Sequence, residues 1–156
     1  MLDFSELLSA SRISPHESIS SKKRALESLA ALLTPYAGEH NHMDVLNALA
    51  ARERLGSTGL GHGIAIPHGR MEGLDKPLAA VMTLDTGIDF EAPDGEPVDI
   101  LFALLIPQEC NDAHLKILAA LAKLFVQEDL RKALREATDA EQILQIFTAY
   151  DSDIAV

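Results

Sequence analysis

The feature that most constrains the fold is an uninterrupted apolar stretch, Ile100–Ile106, which lies well inside the chain. It is too short to cross a bilayer, and it lacks the polar alternation of a half-exposed strand. We therefore interpret Val98–Ile106 as a strand that is buried on both faces. Such a strand needs covering layers on both sides of its sheet. The segment Ala79–Leu84 predicts a second strand.

Segments with helical periodicity lie before and after these strands. They are about Lys22–Leu33, Met43–Leu55, Asp112–Phe125, Asp129–Glu136 and Asp139–Ala149. Two further signals predict helix starts: Ser14–Glu17 resembles a capping turn, and Thr138–Glu141 predicts a capping box. We interpret the cluster Lys22-Lys23-Arg24 as the solvated start of its helix. Together these patterns predict one α/β domain over 1–156, with its core at about 7–148 and a mixed sheet flanked by helices on both faces.

Charge and cysteine content exclude several classes of function. The formal net charge is −11 at pH 7, which argues against nucleic acids and anionic membranes because both attract basic surfaces. The one cysteine, Cys110, permits no intramolecular disulfide and suits a reducing compartment. No signal peptide or membrane-spanning stretch is evident. We therefore expect a cytoplasmic protein without membrane insertion.

A glycine-rich segment precedes His68, the residue of this sequence that is best suited to nucleophilic chemistry. Gly56–Gly63 contains too much glycine to predict a regular element, and it precedes Ile64-Ala65-Ile66-Pro67-His68-Gly69. Pro67 restricts the backbone before His68, and Gly69 lets backbone amides approach whatever His68 holds. An imidazole with an ordinary pKa of about 6.5 is largely neutral and nucleophilic at physiological pH. These features favour the binding of an anion at His68. A loop that merely exposes a histidine to solvent would have the same composition.

The same segment resembles the phosphorylation-site motif of the mannitol/fructose-type enzyme IIA domains of the bacterial phosphoenolpyruvate-dependent phosphotransferase system. The positions in register are Glu53, Leu60, Gly61, Ile64, Ala65, Ile66, Pro67, His68 and Gly69. The resemblance extends from about Leu7 to Phe147. Within that superfamily, Ser21–Leu26 and Val98–Leu104 favour the nitrogen-regulatory IIA proteins. The resemblance implies the mannitol-type IIA fold.

The resemblance also implies which residues form the site. The phosphoryl acceptor falls on His68, with Nε2 as the modified atom (a tele-phosphohistidine). The active-site arginine falls on Arg52, and a second active-site histidine falls on His114. Candidate phosphate ligands nearby are Ser57, Thr58 and Gly69, although turn hydroxyls more often bond their own backbone.

The histidines also raise the hypothesis of a zinc site at His62, His68 and His114. No cysteine or acidic ligand accompanies them at a recognised spacing, so we expect neither a metal nor a cofactor. His62 stands where nitrogen-type relatives commonly carry Asn. We interpret it as a solvated loop residue that can affect the pH dependence of the site.

The function that follows from the resemblance is regulatory phosphoryl transfer. A phosphorylated HPr-like carrier would phosphorylate His68, and the phosphorylation state would control partner proteins such as potassium transport or sensor kinase proteins. Two alternatives stay open: a sugar-specific fructose- or mannitol-type IIA that passes phosphate to a IIB domain, and a binding-only regulatory module. The resemblance implies a phosphotransferase-system component rather than a stand-alone metabolic enzyme. A hydrolase is disfavoured, because the motif offers a nucleophile without an evident base to activate water.

Overall fold

The computed structural model describes residues 3–109 and 112–150, apart from the side chains of residues 113 and 114. The helices are α1 (Phe4–Leu7), α2 (Lys22–Leu33), α3 (His42–Glu53), α4 (Asp112–Leu124), α5 (Glu128–Glu136) and α6 (Ala140–Ala149). The strands are β1 (Ile13–Glu17), β2 (Gly59–Gly61), β3 (Ile64–Ala65), β4 (His68–Met71), β5 (Leu78–Ile88) and β6 (Val98–Pro107). None of the helices in these residues is long and apolar enough to cross a membrane.

The strands form one mixed sheet with β6 at its centre. The order is β1-β5-β6-β3-β2, and β4 also pairs with β6. β5 is antiparallel to β6, whereas β3 and β4 are both parallel to it. β3 and β4 follow one another along the same edge of β6, with Ala65 opposite Leu101 and His68 opposite Leu104. The structure thus confirms the predicted α/β class and mixed sheet.

Alternate residues of β6 enter two different cores, which explains its uninterrupted apolar sequence. One face packs against α1, α4, α5 and α6 and contains Phe4, Ile100, Phe102, Leu104, Leu121, Leu134 and Phe147. The other packs against α2 and α3 and contains Leu29, Leu33, Leu49, Leu101, Ala103 and Leu105. β6 is therefore buried on both faces, as predicted. Truncating a central aromatic such as Phe102 in a core of this kind costs about 3–5 kcal/mol.

Two local predictions were wrong because distant pairing outweighs local signals. Ser14–Glu17 lies in strand β1 rather than at a helix start, and Ile13 pairs in parallel with Val81 of β5. Pro15 is tolerated there because β1 is an edge strand. Gly59–Gly61 forms strand β2, which pairs with β3 through a turn in which Gly61, His62 and Gly63 all have positive φ. Glycine at two of these positions meets the backbone requirement of the turn.

The boundaries of the predicted helices agree closely with the structure, with one shifted cap. Helix α2 covers the predicted range, and its Ser21 cap accepts the Arg24 N–H. Before α6, the N-cap is Asp139 instead of Thr138, and it accepts the Gln142 N–H at 2.9 Å. Gln142 Oε1 accepts the N–H of Thr138, the residue before the cap, so the predicted capping box over Thr138–Glu141 does not form.

Candidate functional site

His68 is the first residue of β4 and is buried, with 8% of its surface exposed. Its strand is fixed on β6, where the Leu104 N–H donates to the Pro67 carbonyl at 2.9 Å. The next residue, Gly69, faces α3: a Cβ there would lie 2.5 Å from the Ala48 carbonyl oxygen. Glycine therefore allows α3 to pack directly on β4. The close approach that Gly69 permits is to α3, and its role as a phosphate ligand stays a prediction.

The imidazole of His68 is held in one tautomer. Its Nδ1 lies 2.8 Å from the Ile66 carbonyl oxygen, which can only accept a hydrogen bond, so Nδ1 carries the proton and the lone pair is on Nε2. Burial holds the pKa of His68 below its ordinary value of 6.5, and the charge of Arg52 lowers it further, against the opposing effects of the Ile66 bond and Glu53. The ring is thus kept neutral and nucleophilic at Nε2 near neutral pH.

Arg52 and His68 share a pocket of about 320 Å³. Its lining consists of Arg52, Ser57, Thr58, Gly59, Leu60, Ile66, His68, Leu118, Ala119 and Ala122. Arg52 lies in the last turn of α3, and its Nη1 donates to the Gly56 carbonyl at 2.9 Å, which anchors the guanidinium beside the loop. A fixed cation and a neutral imidazole in one pocket suit a phosphoryl group, because the guanidinium can balance charge on its oxygens.

The two predicted hydroxyl ligands also line this pocket, but each has a bond within the fold. Ser57 Oγ donates to the Phe90 carbonyl at 2.8 Å and accepts from the Gly59 N–H at 3.1 Å. The Thr58 hydroxyl donates to Glu53. These bonds give the loop a defined shape beside His68. Direct phosphate binding by Ser57 and Thr58 stays a prediction.

Buried Glu53 and partly buried Lys22 form an ion pair behind this loop that our sequence analysis missed. Glu53 is 8% exposed and accepts both the hydroxyl and the N–H of Thr58. Lys22 Nζ lies 2.9 Å from Glu53 Oε2. The interpretation of Lys22 as solvated was therefore wrong. One signal was present: three consecutive cations at a helix start oppose the helix dipole, which indicates that at least one of them has another partner.

His114 lies in the first turn of α4, as predicted, but its side chain is outside the described residues. Position 114 precedes Leu118, which lines the pocket, by one helical turn. Its role as a second active-site histidine stays a prediction.

His62 is an exposed turn residue, in agreement with its interpretation as a solvated loop residue. Its N–H donates to Asp94 Oδ2 at 3.1 Å, and its carbonyl accepts from Arg135 Nη2 at 2.6 Å. It does not line the pocket of His68. Within residues 3–109 and 112–150, apart from the undescribed side chains, no three His, Cys, Asp or Glu residues are placed to hold a metal ion.

Comparisons with known proteins bear on the family and the fold of this chain. Residues 6–150 match the family model described as "Phosphoenolpyruvate-dependent sugar phosphotransferase system, EIIA 2". A nitrogen regulatory protein of Pseudomonas aeruginosa is 46% identical over 126 residues, covering 81% of this chain and 82% of that protein. The crystal structure of the nitrogen regulatory protein IIA-Ntr from Neisseria meningitidis has a TM-score of 0.87 at 40% identity, covering 92% of this chain and 97% of that one.

The fold is shared more widely than the sequence. The crystal structure of IIA mannitol from Escherichia coli has a TM-score of 0.73 at 22% identity, covering 89% of this chain and 97% of that one. At this identity the likeness concerns the fold alone. It agrees with the mannitol-type arrangement expected from the sequence.

Proposed function

The chain belongs to the EIIA 2 family of the phosphoenolpyruvate-dependent sugar phosphotransferase system, and we propose that it is a regulatory phosphocarrier whose acceptor is His68. The observation that carries the proposal is the bond between His68 Nδ1 and the Ile66 carbonyl. It puts the ring proton on Nδ1 and the lone pair on Nε2, and Arg52 lines the same pocket. Proteins of this family work with HPr-like phosphodonors.

The transfer itself needs one bond exchange. His68 Nε2 attacks the phosphorus of a phosphohistidine on the HPr-like donor, in line with the P–N bond that breaks. The electron pair of that bond returns to the donor imidazole as the new P–Nε2 bond forms. No proton has to leave Nε2 first, because the lowered pKa and the Nδ1–H tautomer already provide a neutral nucleophile.

Positioning and charge balance supply the rest of the catalysis. Arg52, anchored on the Gly56 carbonyl, offers a cation to the equatorial oxygens of the phosphoryl group, where charge accumulates. We assign His114 the same task from the first turn of α4, where the helix N-terminus also favours an anion. The Nδ1–H bond to Ile66 stays in place throughout and stabilises the ring as it becomes phosphorylated.

The regulatory role follows from what phosphorylation changes at the surface. A phosphoryl group adds negative charge and three acceptor oxygens at the mouth of the pocket. Partners that dock over the pocket would then distinguish the two states. The nitrogen regulatory names of the relatives support this role over sugar-specific transfer to a IIB domain. We propose a cytoplasmic location, with potassium transport or sensor kinase proteins as the targets.

Reconstitution of the relay tests this function. The chain is incubated with phosphoenolpyruvate, enzyme I and an HPr-like carrier, and its intact mass is followed for the wild type and for His68→Ala. We expect an acid-labile gain of one phosphoryl group in the wild type only, lost when the carrier is omitted. An unmodified wild type in the presence of a phosphorylated carrier would favour the binding-only module. Efficient onward transfer to a fructose- or mannitol-type IIB domain would favour the sugar-specific alternative.

A further inference from the structure

A buried carboxylate shapes the loop that faces His68. Glu53 follows Arg52 at the end of α3, and its side chain is 4% exposed. It accepts the N–H and the hydroxyl of Thr58, which lines the pocket of His68. Because both bonds hold the same residue, Glu53 helps to fix the loop backbone beside the imidazole, together with the Ser57–Phe90 bond. A buried carboxylate in this position needs a compensating charge.

Lys22, the first residue of α2, supplies that charge. Its Nζ lies 2.9 Å from Glu53 Oε2, 3.4 Å from Glu91 Oε1 and 4.8 Å from the centre of the Phe90 ring. The Lys22 side chain is 20% exposed, and that of Glu91 is 76% exposed, so the contact with buried Glu53 is the stronger of the two ion pairs. The aromatic face adds a further favourable contact for the ammonium group.

The neighbouring cations do not share this environment. Lys23 is exposed, and Arg24 pairs with Glu27 on the surface of α2. Lys22 is therefore set apart from its two neighbours by its place in the fold, and Lys23 offers a matched comparison on the same helix turn.

The charge of Glu53 bears directly on the chemistry at His68. The charged groups that act on the imidazole from α3 are Arg52, which lowers its pKa, and Glu53, which raises it. The described residues of α4 that line the pocket are Leu118, Ala119 and Ala122, all without charge. An uncompensated Glu53 carboxylate would thus have two effects: it would favour the protonated imidazole, and it would repel an incoming phosphoryl group.

We propose that Lys22 is a positioning residue for phosphoryl transfer: it neutralises Glu53, so that Glu53 can hold the Thr58 loop beside His68 without its charge opposing the phosphoryl group. The proposal rests on the proposed phosphorylation of His68. It assigns Lys22 no contact with the reacting atoms. Its action passes through Glu53 and Thr58.

A charge-removal series tests the proposal. The variants are Lys22→Met, Lys22→Arg, Lys23→Met as the matched control, and the double variant Lys22→Met/Glu53→Gln. Glutamine retains an oxygen that can accept from Thr58 but carries no charge. Each protein is characterised by its rate of phosphorylation from the HPr-like carrier, by the pKa of His68 from an NMR titration, and by its midpoint of urea unfolding.

For Lys22→Met we expect phosphorylation to slow about tenfold and the pKa of His68 to rise by about half a unit or more. Lys23→Met should change neither. Lys22→Arg, which keeps the cation, should recover most of the rate. The double variant should return the rate to within about threefold of the wild type and should lower the pKa again, because the uncompensated charge is gone.

Two results would overturn the proposal. One is a Lys22→Met protein that matches Lys23→Met in both rate and His68 pKa. The other is a double variant that stays as slow as Lys22→Met, which would mean that Lys22 contributes packing instead of charge balance. The pKa titration requires no phosphorylation, so it tests the Lys22 proposal even if the wild type accepts no phosphoryl group; that failure would count against the proposed function alone.

Discussion

Two histidines of the same glycine-rich segment, His62 and His68, have very different surroundings. His62 lies exposed at positive φ in the β2–β3 turn, where its backbone N–H donates to Asp94 and its carbonyl accepts from Arg135. His68 is buried at the start of β4, and its ring is oriented by the Ile66 carbonyl. Sequence composition is similar around both. The difference shows that burial and ring orientation, set by pairing with β6, select the histidine that is suited to nucleophilic chemistry.

The largest expected effect comes from exchanging each of these histidines for glutamine. His68→Gln should abolish acid-labile phosphorylation, because the glutamine side chain has no ring nitrogen that can attack phosphorus. His62→Gln should phosphorylate within about twofold of the wild type, since an exposed turn side chain away from the reacting atoms contributes little to a transition state. Intact-mass time courses distinguish the two. Equal losses in both variants would end the distinction between the two histidines.

Arg52 and Arg54, at the C-terminal end of α3, also differ in their surroundings. Arg52 lines the pocket, whereas Arg54 is exposed at the helix C-cap. Arg52→Gln should slow phosphorylation about 100-fold, the effect typical of removing one preorganised group that stabilises transition-state charge. Arg54→Gln should stay within about twofold. Rates measured at saturating phosphorylated carrier separate this loss from weaker docking, and a mild Arg52 phenotype would remove the arginine from the proposed mechanism.

Alanine substitutions at the glycines beside the two histidines should have different effects on stability and on phosphoryl transfer. Gly69→Ala would force its Cβ against the Ala48 backbone of α3, so we expect a loss of about 2 kcal/mol or more in unfolding free energy and slower phosphorylation. Gly63→Ala, at φ +82 in the His62 turn, should also destabilise by about 1–2 kcal/mol, because the backbone is strained there and the new Cβ would press on the Arg135–Asp99 ion pair. Its folded fraction should still phosphorylate normally. Urea unfolding and single-turnover transfer measure the two effects separately.

The smallest effect concerns acid stability. His68 has a lowered pKa in the folded chain, so the unfolded chain binds its proton more readily. Its contribution to stability is fully present above the ordinary pKa of 6.5 and is lost as pH falls toward the folded value. The unfolding free energy of the wild type relative to His68→Gln should therefore decrease between about pH 7.5 and pH 5.5. A difference that stays constant would contradict the buried neutral ring.

The parts of the fold that were predictable have strong local patterns. Helix α2 has a regular apolar face and a serine cap, and β6 is apolar on both faces because helices cover both sides of it. Strand β1 was missed because its partner β5 lies far along the chain. When that partner is unknown, the turn-forming residues Ser14-Pro15 favour a helix start over a strand.

The candidate site also combines predictable and unpredictable parts. His68 and its neighbours form one contiguous motif, so the motif and the family resemblance were enough to propose them and Arg52, which the structure places in one pocket. The Lys22–Glu53 pair and the Ser57–Phe90 bond join residues that are 31 and 33 positions apart. The periodicity of the sequence does not predict such contacts. The tautomer of His68 depends on the direction of one carbonyl, at Ile66. That detail follows only from the path of the chain between β3 and β4.

Nitrogen-15 NMR of the imidazoles, recorded before and after phosphorylation, shows whether His68 is the phosphoryl acceptor and through which nitrogen. In the free protein, we expect His68 to carry its proton on Nδ1 and to titrate below 6.5. After transfer, we expect coupling between phosphorus and His68 Nε2, with His62 unchanged. A phosphoryl group on Nδ1 of His68, or on any other histidine, would refute Nε2 of His68 as the acceptor.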